Sequence, residues 1–248
     1  MNIPEDHPRY LSLMTRERLA KAVEDGLVTP TGLISQGRGE AFDYLMGERT
    51  IESAFRAEKA ATAYLLNAKN PVICVNGNAA ALDPERIIRL AEAVGAKIEV
   101  NIFHRTEERM EKLISHMERF GAKNVLGRDP DARIPGISSD RALCTKNGIF
   151  TSDVILVPIE DGDRAQALAA MGKVVIAIDL NPLSRTSAAA SVSISDEMSR
   201  ALENMIGFAG MGRDEIRKEI SGFDNASNRR STAEEICRNL ILQFEGKE

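Results

Sequence analysis

From about residue 70 onward, short apolar runs alternate with helical stretches, and that order leaves few folds open to the chain. Val72-Ile-Cys-Val75, Lys97 to Phe103, a short run beginning at Val125, Val154-Ile-Leu-Val157, Val174 to Ile178, and the pair Val192 and Ile194 read as strands. Helices fall between them: one through Val94 with Asp83 as N-cap and Pro84 at its first position, one carrying a stripe of Met110, Leu113, Ile114, Met117 and Phe120, one from Arg164 to Met171, and one from Met198. Strands joined through helices pair in parallel, so the expected fold is α/β, a Rossmann-like three-layer parallel sheet. The unbroken run Val174 to Ile178 suits a strand covered on both faces. Lys97 to Phe103 instead alternates, with Ile98, Val100 and Ile102 on one side, which predicts a half-buried strand.

Residues 1–70 read as an N-terminal helical segment packed on a core that occupies 71–248 and ends in C-terminal helices, the two forming one structural unit. The segment is expected to hold a helix from Ser12 to Asp25 that ends at Gly26, a glycine-rich turn, and a long helix from Ile51 to Ala68. At the other end, Ser231-x-x-Glu234 reads as a capping box for a helix from Ala233 to Phe244. Gly127 to Asn147 reads as a long irregular loop, and loops of that length in compact domains usually serve function or are disordered.

Charge narrows the function classes. A net charge of −5 and a pI near 5.5 argue against a general nucleic-acid binder, which needs clustered Lys and Arg in excess. Cys74, Cys144 and Cys237 are far apart and form no C-x-x-C, so neither a disulfide framework nor a zinc site is indicated. No apolar run approaches a membrane span, and the first ten residues lack a basic-then-apolar leader, so a cytoplasmic protein is expected. The P-loop pattern, G-x-G-x-x-G after a strand, H-E-x-x-H and G-x-S-x-G are all missing. A nucleotide site here has to be of another kind.

The segment Lys173 to Ser187 is the best candidate, because an apolar strand stops abruptly in polar groups. Ligands of parallel sheets sit beyond the carboxyl ends of the strands, where Asp179 falls. Its carboxylate can accept from ribose hydroxyls, Asn181, Ser184, Thr186 and Ser187 can donate and accept, and Arg185 can pair with phosphate. The same residues also suit an ordinary strand-to-loop turn.

Other polar clusters compete. In Gly37-Arg-Gly-Glu-Ala-Phe-Asp43, two glycines flank a guanidinium in a way that suits phosphate, with Glu40 or Asp43 helping to hold Mg²⁺; a flexible turn into a helix is the alternative. His7-Pro-Arg-Tyr10 with Arg16 suits an anion clamp or a proline-led helix entry. His104 and Arg105, in Asn101-Ile-Phe-His-Arg-Thr106, stand at a strand end where they could meet substrate. Arg141 and Lys146 in the long loop could contact a phosphate, while Cys144 reads as a buried thiol.

Taken together, His7-Pro-Arg-Tyr10, Gly37-Arg-Gly-Glu-Ala-Phe-Asp-Tyr44, Arg141-Ala-Leu-Cys144, Pro158-Ile-Glu-Asp-Gly-Asp163 and Asp179-Leu-Asn-Pro-Leu-Ser-Arg-Thr186 closely resemble the archaeal phosphopantothenate synthetases, or 4-phosphopantoate–β-alanine ligases, in order and across nearly the whole chain. The resemblance implies a Rossmann-like cytoplasmic homodimer that joins 4-phosphopantoate to β-alanine in coenzyme A biosynthesis, using ATP and Mg²⁺ and releasing AMP and pyrophosphate. It also implies ATP contacts at Arg16, Arg38, Asp179, Leu180, Asn181, Arg185 and Thr186, and around Glu197 and Met198. Within that reading, Arg38 and Arg185 act electrostatically in catalysis, Arg105, Arg141 and Lys146 are candidates for the substrate's phosphate, and the metal ligands are unassigned. The partners are then small molecules, with no nucleic acid and no membrane. A nucleotide-sensing regulator without catalysis and a dinucleotide-dependent oxidoreductase are the readings from other classes.

Overall fold

A computed structural model describes residues 4–7, 9–242 and 244. Pro8, in the first of the quoted motifs, and Gln243, in the expected tail helix, lie outside the described residues.

The chain opens with three helices, α1 (Tyr10–Glu24), α2 (Pro30–Met46) and α3 (Glu52–Asn67). Alternation then begins with β1 (Pro71–Val75), α4 (Gly77–Leu82), α5 (Pro84–Val94), β2 (Lys97–Val100) and α6 (Glu107–Arg119). A two-stranded ribbon follows, β3 (Ala132–Arg133) and β4 (Leu143–Cys144), and then β5 (Val154–Pro158), α7 (Gly162–Ala170), β6 (Val174–Ile178), α8 (Arg185–Ala189) and β7 (Val192–Ile194). Helices α9 (Met198–Gly207), α10 (Arg213–Gly222) and α11 (Asn225–Leu242) close the chain.

Local chemistry explains the boundaries. Asp83 Oδ1 accepts from the backbone N–H of Arg86 at 3.0 Å, Pro84 occupies the first turn of α5, and Gly95 ends that helix at φ +69°. Thr106 caps α6 in the same way at Arg109, and Glu107 and Glu108 sit in its first turn, where the helix dipole favours them.

Five strands form one parallel sheet in the order β2-β1-β5-β6-β7, with Val72 opposite Lys97 and Ile155, and Val154 opposite Val174. Alternate residues feed opposite faces. Ile73, Val75, Leu156 and Ile178 join the side chains of α3, α5, α6 and α9 in one core, while Val72, Cys74, Ile155 and Val157 pack against α7 and the 132–150 segment in another. The α/β three-layer architecture expected from the sequence is therefore present, with a long loop serving as part of one layer.

Several local expectations are corrected. The glycine-rich turn does not form: α2 runs unbroken through Gly37 and Gly39, because Gly39 lies against Leu180 and tertiary packing outweighs weak helix propensity. Lys97 to Phe103 is a strand only to Val100, and it is not half-buried, since Glu99 is wholly enclosed and accepts from the N–H groups of Thr145 and Ile149 at 2.7 Å each. The run at Val125 makes only a parallel bridge between Leu126 and Glu99. Ser231 lies inside α11, not at its start, and donates back to Ser227 O. Among the described residues, no helix is long and apolar enough to cross a membrane.

Candidate functional site

In the order β2-β1-β5-β6-β7, β1 and β5 are neighbours whose connections leave in opposite directions along the sheet, and a crevice opens beyond their carboxyl ends. Two adjoining cavities occupy that edge. The smaller, about 360 Å³, lies over the β1/β5 switch point between Asn76, Asn78, His104, Arg109 and Arg141. The larger, about 500 Å³, lies over β5 and β6 between Arg38, Asp179, Asn181 and Arg185. Ser35, Arg38, Ile159 and Asp161 line both, so the two form one continuous cleft.

The wall of the larger cavity is a turn satisfied from within. Asp179 accepts from the backbone of Asn181 at 2.9 Å and from Ser184 Oγ at 2.5 Å. Asn181 Oδ1 accepts from Leu183 N, and Ser184 Oγ caps α8 at Ser187 N. Each carboxylate oxygen still has lone-pair capacity for a ligand hydroxyl. Burial pushes the Asp179 carboxyl up, while those hydrogen bonds and the charge of Arg38 pull it back. Thr186 Oγ1 donates to Glu160 O at 2.8 Å, tying the β6 turn to the β5 turn. A Cβ on Gly162 would lie 2.5 Å from Arg185 Cβ, so only glycine lets α7 approach α8 this closely.

Over the switch point, Asn76 Nδ2 donates to both Pro158 O and Ile159 O at 2.9 Å, while its Oδ1 caps α4 at Ala79 N. Ile159 has φ +51°, a left-handed conformation that a β-branched residue adopts only under constraint. The twist sends the next two side chains opposite ways. Glu160 turns inward, bridging the buried guanidiniums of Arg141 and Arg164, and Asp161 turns out toward the cleft. Burial and the neighbouring Arg164 charge push the Arg141 guanidinium down to about 10, so it remains charged at neutral pH.

The cations divide by partner. Arg38 and Arg185 form no ion pair among the described side chains, and both face the larger cavity. Among the described residues, Arg109 reaches only carbonyls, His104 O at 2.5 Å and Leu27 O at 3.4 Å, and no carboxylate pairs with it; burial pushes it down. A water-accessible cleft with three such guanidiniums suits a ligand with several negative charges.

Of the residues selected from the sequence, Arg38, Asp179, Leu180, Asn181, Arg185, Thr186 and Met198 come together around the larger cavity, and Arg141 lines the smaller. Glu197 lines neither and caps α9 through the N–H groups of Ser199 and Arg200. Arg16 lines neither; its guanidinium is held by Glu40 at 2.9 Å and by Tyr44 Oη at 2.7 Å. Arg105 donates to Gly127 O and Arg128 O, and Lys146 is exposed away from both cavities. Glu40 is committed to Arg16 and Asp43 to Arg200, so neither stands ready for a metal. Among the described residues, no group of three or more His, Cys, Asp or Glu could hold a metal ion. Sequence reasoning assigned no role to Asn76, Asn78, Arg109 or Asp161; the run Asn76-Gly-Asn78 at a strand end was the available signal for the first two, and Asp161 stands within the quoted Pro158–Asp163 motif.

The sequence profile of the phosphopantothenate/pantothenate synthetases matches residues 53–239. The chain is 52% identical to the 4-phosphopantoate–β-alanine ligase of Methanosarcina mazei over 96% of both chains. It is 48% identical to the protein of that name from Thermococcus kodakarensis, over 91% of this chain and 88% of the relative. The one from Methanospirillum hungatei is 53% identical, over 89% and 91%.

Proposed function

The chain belongs to the phosphopantothenate/pantothenate synthetase family, and from that premise we propose that it is a carbon–nitrogen ligase that joins 4-phosphopantoate to β-alanine at the expense of ATP, in coenzyme A biosynthesis. The observation that carries the reading is the paired cleft: two cavities of ligand size share Arg38, an unpaired guanidinium, at their junction. ATP occupies the larger cavity, its ribose toward Asp179 and its phosphates between Arg38, Arg185 and the N-terminus of α7. Asn181, Thr186, Leu180 and Met198 line the same space. The phosphorylated acid occupies the smaller, where Arg109 and Arg141 meet its phosphate and Asn76 and Asn78 its polar oxygens. Mg²⁺ would be held chiefly by the triphosphate, since no cluster of acids among the described residues stands ready for it, and would screen the phosphate charge.

A carboxylate is a poor acyl donor. Transfer to the α-phosphate of ATP, releasing pyrophosphate, gives the amine AMP to displace. That step brings negative charges together, and fixed guanidiniums in a cleft stabilise the charge that develops. Catalysis is by positioning and electrostatics, with no protein nucleophile. Arg16 enters this scheme by exchanging Glu40 for phosphate, and Glu197 by holding the start of α9 beside Met198. Arg105 and Lys146 act, in this reading, only at the periphery. The chain works as a homodimer in the cytoplasm; exposed Ile241 and Leu242 at the end of α11 are apolar surface a partner would cover.

Chromatography of the nucleotide after incubation with ATP, 4-phosphopantoate and β-alanine tests the proposal. AMP appearing in step with phosphopantothenate is the expected result. ADP in its place would replace the adenylate with an acyl phosphate, and an unchanged nucleotide would remove the ligase reading altogether.

A further inference from the structure

The proposed reaction ends where an activated acyl group meets an amine, and that meeting takes place between the two cavities. Four residues line both: Ser35, Arg38, Ile159 and Asp161. Arg38 repels an ammonium, Ile159 offers no charge, and Ser35 only a neutral hydroxyl. Asp161 is the one acid of the smaller cavity's lining. The other acids of the larger cavity are engaged: Glu160 by Arg141 and Arg164, Asp179 by its own turn, and Asp196 by Thr50 and Arg200.

Asp161 is also held in an unusual way. It occupies the N-cap position of α7, where an aspartate ordinarily binds its own helix, yet its side chain makes no capping hydrogen bond. It is 53% exposed, and the closest charged atom is Arg141 Nε at 3.6 Å, beyond a direct hydrogen bond. The left-handed Ile159, clamped by Asn76 and by its N–H bond to Ile178 O, sets this orientation. Backbone strain kept beside a cleft marks a position whose geometry matters.

We infer that Asp161 receives the amine substrate, its carboxylate holding the incoming ammonium at the junction and taking up a proton as the amide bond closes. This deepens the ligase reading and rests on it. The ammonium yields one proton to water, and the nitrogen lone pair then forms the bond to the acyl carbon. The carbon–oxygen bond to the adenylate phosphate breaks, its electron pair leaving with AMP, and the nitrogen's second proton passes to Asp161 Oδ and on to solvent.

The test separates the two half-reactions in Asp161→Asn, with Asp161→Ser as a second variant. Exchange of labelled pyrophosphate into ATP, driven by 4-phosphopantoate alone, needs no amine; if the wild type lacks it, the adenylate reading has failed and Asp161 is not at issue. Given exchange in the wild type, the variants should keep it within about twofold and keep their affinity for ATP by calorimetry, while kcat/KM for β-alanine falls about 10²-fold or more, the scale of a positioned acid–base group. Hydroxylamine, uncharged at neutral pH, should trap the activated acid equally well in wild type and variants. A β-alanine kcat/KM left unchanged, or a parallel loss of exchange that would place Asp161 on the nucleotide or its metal, overturns the inference.

Discussion

Two arginine–carboxylate clusters lie beneath the cleft, and they are unbalanced in opposite directions. Under the switch point, one buried carboxylate, Glu160, serves two guanidiniums, Arg141 and Arg164, all with side chains 5% exposed or less, while the half-exposed Asp161 stands 3.6 Å from Arg141 at the rim. Beneath the larger cavity, one guanidinium, Arg200, serves Asp43 at 2.5 Å and Asp196 at 2.6 Å, and a third acid, Glu58, faces Asp196 from α3. The difference lies in what each group can do with surplus charge. Arginine cannot shed its proton at working pH, so the buried part of the first cluster keeps a positive charge that Asp161, half-exposed and 3.6 Å away, offsets only in part, and an anionic ligand in the cleft is attracted to it. A carboxyl can take up a proton, and burial together with the Asp196 charge pushes Glu58 up to about 9. The acid surplus is thus reduced inside the fold, leaving two carboxylates to share Arg200. The first imbalance is left for a ligand to offset, and the second is relieved in part by a proton.

The sharpest way to break this comparison is Glu160→Gln, which removes the one ion-pair partner of Arg164 among the described residues and leaves Arg141 with only the half-exposed Asp161 at 3.6 Å. Losing one partner of a buried pair costs about 3–5 kcal/mol, so the urea midpoint should fall steeply with little change in slope. A loss below about 1 kcal/mol, the value of an exposed pair, would mean that Glu160 is no more than a surface partner to the two guanidiniums. Arg38→Ala should act on the reaction and not on the fold. An electrostatic donor to a transition state is worth about 10²–10³ in kcat, roughly 3–4 kcal/mol, while an exposed side chain with no ion pair leaves the urea midpoint in place. If Arg38→Ala unfolded the protein as Glu160→Gln is expected to, Arg38 would be a structural residue.

These residues also mark where sequence stopped being informative. The Asp179–Thr186 turn was legible because an apolar strand that ends in an acid, an amide and a hydroxyl exposes its chemistry in order along the chain. Arg109 was not. It sits on the polar side of a well-marked amphipathic helix and reads as a solvated charge, and only the fold puts it beside His104 O at the mouth of the smaller cavity. Arg105 and Lys146 have the composition of phosphate ligands, but residue type does not say that Arg105 spends itself on the carbonyls of Gly127 and Arg128. Asp161 and Glu160 are adjacent acids in sequence and opposites in role, a split produced by the left-handed backbone of Ile159, which no pattern of side chains announces. The sheet was readable because periodicity of two and of 3.6 is local. Glu99 and Gly39 of α2 were misread because their surroundings come from distant segments, the 145–149 backbone in one case and Leu180 in the other.

A smaller effect tests the acidic cluster. Glu58 titrates near 4.5 when unfolded and near 9 when folded, so across that window the native state binds the extra proton and stability falls as pH rises. The slope from this one group is at most about 1.4 kcal/mol per pH unit. Glu58→Gln, uncharged in both states, should flatten the dependence, so that urea midpoints at pH 6 and pH 8 lie closer together than in the wild type. Equal slopes in the two proteins would mean that Glu58 is ionised in the native state and that the acid surplus is held by Arg200 alone.

The smallest expected change concerns a pair at the rim, where neither imbalance operates. Arg16 and Glu40 match one to one, with side chains 46% and 18% exposed, and hydrogen bonding to Arg16, Ser12 and Tyr44 outweighs partial burial to leave the Glu40 carboxyl below its usual range. A pair this exposed is worth no more than about 1 kcal/mol, so Glu40→Gln should move the urea midpoint little. Its consequence for ligand binding has the opposite sign. A guanidinium freed from Glu40, on a helix facing the one that carries Arg38, becomes available to phosphate, and the affinity for ATP measured by calorimetry should tighten by up to about fivefold, the same interaction energy read as a binding ratio. Weaker binding in Glu40→Gln would mean that Glu40 orients Arg16 toward the nucleotide and does not compete with it, and the rim pair would then join Arg38 as part of the positively charged wall.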